Sequence, residues 1–319
     1  MIKIEDINFE LVLSKFSDGT QKIEIKLSEA LKDAMKNNSG SVKGLDFVTI
    51  SWRFENEAEI LTLYYIVNWF RDHLSGTKLY LNLYYVPYAR MDRVEDISDV
   101  FTLKYFTNLL NSMHFEEVIV LDPHSRVSGA LIDRVAVVEP EPYLYHALEL
   151  ITEGKKKKAP TVLFPDRGAY ERYLSPKLRK YFDEFGVTQF LYGEKVRDWK
   201  TSNIQRFTVN TRGIREIGDV LIIDDIITTG GTIEECVKAI DDMNATGKVY
   251  IYATFLEKGA FQNQKFAWVL DQCEKVITTE TLPLGEYEKH QKLERCSLNA
   301  YTLFRGVRAP RLHADSISS

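Results

Sequence analysis

An α/β fold of two tandem units, each a parallel sheet flanked by helices, is what the sequence predicts, and three observations predict it. Segments with strand and helix periodicity alternate along the chain, the order that builds parallel sheets covered on both faces. Val220, Leu221, Ile222 and Ile223 form an unbroken apolar run, as a doubly buried strand requires, and Ile233, Cys236, Val237, Ile240 and Met243 recur just beyond it at helical spacing. With 319 residues the chain exceeds one ordinary domain, so two domains of about 150 residues are expected.

Residues 2–13 alternate as a strand, residues 16–20 (FSDGT) give a turn signal, and residues 21–27 alternate again. After a polar, glycine-containing segment, residues 46–51 read as a strand and 57–73 as an amphipathic helix with Ile60, Leu61, Leu63, Tyr64, Val67 and Phe70 available for burial. Residues 78–86 are a strand, 100–113 a helix and 117–121 a strand. The second half repeats the scheme: helix 142–152, strand 161–164, helix 177–185, strand 188–192, a polar arm over 193–217, the organising strand and helix, strand 249–255, a helix from Gly259, and a short strand 275–278. The boundary is placed at 142/143, giving domains 1–142 and 143–319. The carboxyl-terminal RLHADSISS has the composition of a disordered tail.

At 45% hydrophobic and 27% charged, with a net charge of −5, the chain is ordinary for a globular protein and lacks the basic face of a general nucleic-acid binder. Its dense basic run, residues 155–158, is read as a solvated inter-domain loop. Cys236, Cys273 and Cys296 have no metal-ligand spacing and fit buried thiols in a reducing compartment. The amino terminus is acidic rather than signal-like, and no apolar run approaches the roughly 20 residues of a membrane helix. A cytoplasmic protein with no membrane partner is expected. The four tryptophans form no stripe, and His73, His114 and His146 lack ligand spacing; all are read as structural.

Between the organising strand and its helix lie Asp224, Asp225 and then Thr228, Thr229, Gly230, Gly231 and Thr232. Backbone N–H groups at a helix start have no intrahelical partner and sit at the positive end of the helix dipole, so residues 228–232 form a cradle for a phosphate. Two carboxylates beside a phosphate would repel it unless they bind sugar hydroxyls or a divalent cation, which points to a ligand carrying both phosphate and ribose.

This run resembles the ribose-phosphate motif of the type I phosphoribosyltransferase fold. Four further segments, each after a strand, look like successive motifs of the phosphoribosyl-pyrophosphate (PRPP) synthetases in that family's order: Phe16 to Thr20, Tyr88 to Arg93, Asp122-Pro123-His124, and Pro165-Asp166-Arg167-Gly168. Lys195 and Arg197 are similar to the family's catalytic flexible-loop pair. The resemblance runs from about residue 12 to 283 and implies two phosphoribosyltransferase-like, Rossmann-like domains, with an ATP side in the first and the ribose-5-phosphate loop in the second. It implies magnesium-dependent transfer of the β,γ-diphosphate of ATP to the anomeric hydroxyl of ribose 5-phosphate, with AMP leaving. Phe16, Asp18, Arg90, Asp92, Arg93 and His124 are carried over as ATP-binding residues, and Asp166, Asp224, Asp225 and residues 228–232 as sugar-phosphate-binding. His124 and Asp166 are carried over as the residues near magnesium, and Lys195 and Arg197 as catalytic. The family's adenine site spans two subunits, so a homo-oligomer, dimer or hexamer, is expected.

Several positions depart from the family pattern. Thr20 stands where Glu is usual, Met91 where Gln is usual, Thr228 where an acid is usual, and Asp96 and Ser98 where basic residues tend to approach nucleotide phosphates. A second reading keeps the same chemistry on ADP-ribose, as in bacteriophage relatives that make ADP-ribose pyrophosphate to rebuild NAD. A third is a non-catalytic regulatory partner of a true synthetase. Such a partner would be expected to lack the flexible-loop pair, which is present here.

Overall fold

A computed structural model describes residues 1–37, 45–197, 204–210, 217–243 and 245–298. Trp199, parts of the arm at 198–203 and 211–216, the side chains of Lys195 and Arg197, and the tail lie outside the described residues. Two compact units divide the described chain, residues 1–139 and 140–299.

In the first unit, β1 (Ile2–Ile4) is followed by the hairpin of β2 (Phe9–Lys15) and β3 (Gln21–Leu27). The single strand expected over 2–13 is thus two. Asp6 Oδ1 accepts from Asn8 N at 2.8 Å, an Asx turn that interrupts the ladder although side-chain alternation continues through it. The polar segment holds an unexpected helix, α1 (Glu29–Asn37), opened by Ser28, whose Oγ accepts from Leu31 N at 3.2 Å. Then come β4 (Phe47–Trp52), α2 (Ala58–His73), β5 (Lys78–Leu83), α3 (Thr102–Ser112), β6 (Glu117–Leu121), α4 (Arg126–Leu131) and β7 (Val135–Val138). The sheet order is β1-β4-β5-β6-β7, parallel except for β1. Its core includes Ile50, Trp52, Leu63, Ile66, Leu81, Leu83 and Val120, all fully buried. Trp52 Nε1 donates to Glu59 Oε2 at 3.0 Å, the partner a buried indole needs. Trp69 stacks on His73 with ring centroids 4.8 Å apart, so those residues are structural as expected.

The second unit begins with α5 (Glu141–Ile151), β8 (Thr161–Phe164), α6 (Arg167–Tyr173), α7 (Pro176–Glu184), β9 (Phe190–Arg197) and β10 (Ile204–Asn210). It continues with β11 (Val220–Ile227), α8 (Gly231–Asp242), β12 (Val249–Leu256), α9 (Gln264–Gln272), β13 (Lys275–Thr279) and β14 (Leu293–Cys296). The sheet order is β10-β9-β8-β11-β12-β13-β14, with β9 and β10 antiparallel and every other pair parallel. Residues 155–158 are exposed as expected, but they connect α5 to β8 inside this unit rather than linking two domains. The polar arm is in part a β-ribbon: Lys195 pairs opposite Phe207, and Arg197 opposite Ile204. The helix expected from Gly259 starts at Gln264, after the 3-10 turn Lys258–Gln262, where Asn263 accepts from Lys265 N at 3.0 Å and caps it. All three cysteines are free and buried, and burial pushes the thiols of Cys273 and Cys296 up to about 11 and about 12. Among the described residues no helix is long and apolar enough to cross a membrane.

Candidate active site

The strand order places the acid residues. From β8 the chain passes first to β9 on one side and later to β11 on the other, so the direction of winding reverses between β8 and β11. Open parallel sheets bind ligands at the carboxyl ends of strands flanking such a reversal. Asp166 follows the end of β8, while Asp224 and Asp225 lie in the last half of β11, two and three residues beyond Ile222, where the register with Leu163 of β8 ends. The organising strand is therefore longer than its apolar run, because ladder pairing with β12 carries on to Ile227.

Helix α6 joins these two acid positions. Asp166 is its N-cap, with Oδ1 accepting from Ala169 N at 3.0 Å. Six residues on, Arg172 Nη2 lies 3.5 Å from Asp225 Oδ2. The guanidinium also sits over the Tyr173 ring at 5.1 Å from its centroid, and Tyr173 stacks parallel on Phe164, the last residue of β8. Asp225 is buried at 6% exposure, and this ion pair helps to offset the cost of burying a carboxylate. Asp224 has a different environment. Part of its surface stays exposed, but burial of its carboxyl, followed by the charge of Asp225, a hydrogen bond to Asp225 and the charge of Asp166, holds its pKa well above the usual carboxylate range.

Residues 228–230 then turn the chain into α8. Gly230 is its N-cap at φ +79°, and a Cβ there would come within 2.8 Å of Phe266 Cβ. Phe266, on α9, is fully buried. That close approach seats α9 against the loop. At Gly231 a Cβ would lie 3.6 Å from both Cδ and Nζ of Lys265 and 3.9 Å from Thr229 Oγ1, so the lysine side chain runs beside this loop. Thr229 is exposed, whereas Thr228, Gly231 and Thr232 are half-buried.

In the first unit the expected ATP-side residues fall on the carboxyl ends of adjacent strands. Residues 88–93 follow β5, and Asp122 and His124 follow β6. Each loop holds one non-glycine residue in the left-handed region, Tyr88 at φ 62° and Asp122 at φ 39°. A bulky residue there costs about 1–2 kcal/mol, and such strain gathers at ligand sites. Tyr88 Oη donates to Glu57 Oε1 at 2.7 Å, and burial with that hydrogen bond pushes its phenol up to about 12. Arg90 is exposed and forms no ion pair among the described residues. Arg93 instead pairs with Glu95 at 3.0 Å. Asp92 and His124 are half-buried.

Phe16 and Asp18 occupy the β2–β3 turn. Phe16 is 53% exposed, and Asp18 Oδ1 accepts from Thr20 Oγ1 at 2.6 Å and Thr20 N at 2.9 Å, which lowers its pKa. The threonine that replaces the family's glutamate thus closes the turn on itself. Asp96 does the same with Ser98, accepting at 2.6 Å from Oγ and 2.9 Å from N, which keeps it ionised. Among the described residues no group of three or more His, Cys, Asp and Glu side chains converges as a metal centre.

Pattern reading missed Arg172 and Lys265. Arg172 lies one and a half helical turns beyond Asp166 on a helix too short to show periodicity, and Lys265 reaches the loop only through the packing of α9.

The comparisons with known proteins agree in one direction. A family model described as a phosphoribosyl transferase domain matches residues 146–282. A ribose-phosphate pyrophosphokinase of Sulfurisphaera tokodaii is 29% identical over 214 residues, 66% of this chain and 67% of that protein. One from Helicobacter pylori is 25% identical over 311 residues, 97% of this chain and 87% of that one. The crystal structure of a phosphoribosylpyrophosphate synthetase from Mycobacterium smegmatis shares the fold, with a TM-score of 0.69 at 20% identity, covering 93% of this chain and 89% of that one.

Proposed function

This chain belongs to the ribose-phosphate pyrophosphokinase, or PRPP synthetase, family of diphosphokinase-type transferases on the phosphoribosyltransferase fold, and from that premise we propose that it transfers the β,γ-diphosphate of ATP to the anomeric hydroxyl of ribose 5-phosphate, releasing AMP. The observation that carries this reading is the gathering of Asp166, Asp224, Asp225 and the loop 228–232 at the β8/β11 reversal. It joins a phosphate cradle at the start of a 12-residue helix to carboxylates suited to ribose hydroxyls.

Phosphoryl-group transfer leaves little covalent work to the protein, so its residues act by positioning and by charge. Residues 228–232 hold the sugar phosphate, and Asp224 and Asp225 hold its hydroxyls. Arg90, with Asp92, His124, Arg93, Phe16 and Asp18, serves the nucleotide. Lys195 and Arg197 neutralise charge on the transferred group and exclude water that would hydrolyse ATP.

Magnesium fits these residues. The charge of Asp166 helps raise the pKa of Asp224, and the oxygens of these two carboxyls are the hard donors a divalent cation that keeps much of its water prefers. His124 and Asp166 are each assigned to it, largely through retained water. When bound it neutralises phosphate charge.

A second reading, ADP-ribose as acceptor, is favoured by Thr228. This half-buried, uncharged residue stands where the family carries an acid, and removing that negative charge lessens repulsion of a second phosphate. Incubation with magnesium, ATP and each acceptor, following AMP, tests both readings. AMP formed with ribose 5-phosphate is expected, AMP with ADP-ribose alone selects the second reading, and AMP with neither overturns both. Lys195→Ala is expected to abolish turnover while leaving the thermal transition in place, and an active variant removes the role given to Lys195.

A further inference from the structure

We infer that Lys265 is a phosphate-binding residue of the acceptor site, supplying the side-chain ammonium that the loop 228–232 itself lacks. The inference rests on the reading of that loop as a sugar-phosphate cradle and adds to it a residue outside every motif of the resemblance.

Three features place the ammonium. Phe266 is fully buried, and its Cβ would stand 2.8 Å from a Cβ on Gly230, so the start of α9 is locked to the loop by contacts with no slack. Asn263 accepts from Lys265 N at 3.0 Å, which fixes the backbone of the lysine as the first capped turn of that helix. From there the side chain extends along Gly231, with both Cδ and Nζ 3.6 Å from the position a Cβ on that glycine would take. The ammonium itself has no hydrogen-bond or ion-pair partner among the described residues.

The charge balance calls for a cation here. Backbone N–H groups and threonine hydroxyls bring only partial charges to a phosphate dianion, and the negative charges of Asp225 and Asp166 lie close enough to Asp224 to act on its carboxyl. The nearby guanidinium of Arg172 is committed to Asp225. A lysine over the cradle offsets that field, and a charge-assisted contact to phosphate is about twice as strong as a neutral one. Because Lys265 is exposed, its contribution is screened by salt.

The test is calorimetric titration of ribose 5-phosphate, with inorganic phosphate in parallel, into the full-length protein and its Lys265→Ala and Lys265→Arg variants at low and high salt. Lys265→Ala is expected to weaken ribose 5-phosphate about tenfold with a shallower salt dependence, and Lys265→Arg to restore most of the loss. In turnover assays the change is expected in KM for the sugar phosphate and not in KM for ATP. Equal affinity of wild type and Lys265→Ala overturns this inference while leaving the proposed function intact. A wild type that binds no sugar phosphate overturns both, and a loss in Lys265→Ala that Lys265→Arg fails to recover also counts against a role for the charge.

Discussion

Asp224 and Asp225 are neighbours in sequence with different surroundings. Asp225 is buried with a guanidinium at 3.5 Å. Asp224 has burial and like charges around it, so it retains its proton to higher pH. In the folded protein its pKa is raised above the ordinary 3.8, so the folded state binds more protons than the unfolded chain. Stability therefore falls as pH rises from about 3.8 through the folded pKa. Asn preserves the acceptor used by Asp225 N at 3.0 Å without the charge. Asp224→Asn is thus expected to be more stable than wild type at pH 7.5, with a gain in Tm of about 2–4 °C for each kcal/mol removed. The gain should shrink steadily at pH 6 and pH 5. A stability difference independent of pH in thermal melts would show that the carboxyl carries no such cost.

At the level of elements, β9 pairs with β8 up to Tyr192, and the next residue makes a close approach. A Cβ on Gly193 would stand 2.6 Å from Pro165 O and would collide with the Phe207 ring. Only a glycine lets β9 pass this close to the turn that carries Asp166, two residues before Lys195. Gly193→Ala is expected to cost about 1–3 kcal/mol by overpacking. It is also expected to lower kcat by about 100-fold, because a displacement of the order of 1 Å in a positioned group has that effect. Urea unfolding and initial rates of AMP release measure the two; a variant with wild-type kcat would separate the ribbon's placement from catalysis. Helix α6 is the other connecting element, capped by Asp166 at one end and holding Asp225 from the other. Its short length hid it from periodicity, which needs more than two turns to register.

For the whole molecule, the family resemblance carries an expectation that the chain alone does not complete its adenine site. Phe16 and Leu13, on the β2–β3 hairpin, are 53% and 43% exposed. Sedimentation velocity is expected to give a species larger than the 36.9 kDa of one chain, with specific activity falling on dilution. A fully active monomer would contradict a shared nucleotide site.

The residues alone determined the fold class and the loop of hydroxyls and glycines between the organising strand and its helix, whereas the strands at 135–138, 204–210 and 293–296 left no mark that pattern reading caught. Burial on two faces demands unbroken apolar runs such as 220–223, and a helix start that grips phosphate demands small residues and hydroxyls such as 228–232; both constraints are local and leave local marks. What the tertiary structure decided is non-local. The reversal of winding between β8 and β11 brings Asp166 to Asp224 and Asp225, α6 lends Arg172 to one of them, and the seat of Phe266 on Gly230 sets Lys265 over the loop. Each depends on which strands and helices become neighbours, a consequence of closing long loops around a shared core, and no spacing along the chain records it.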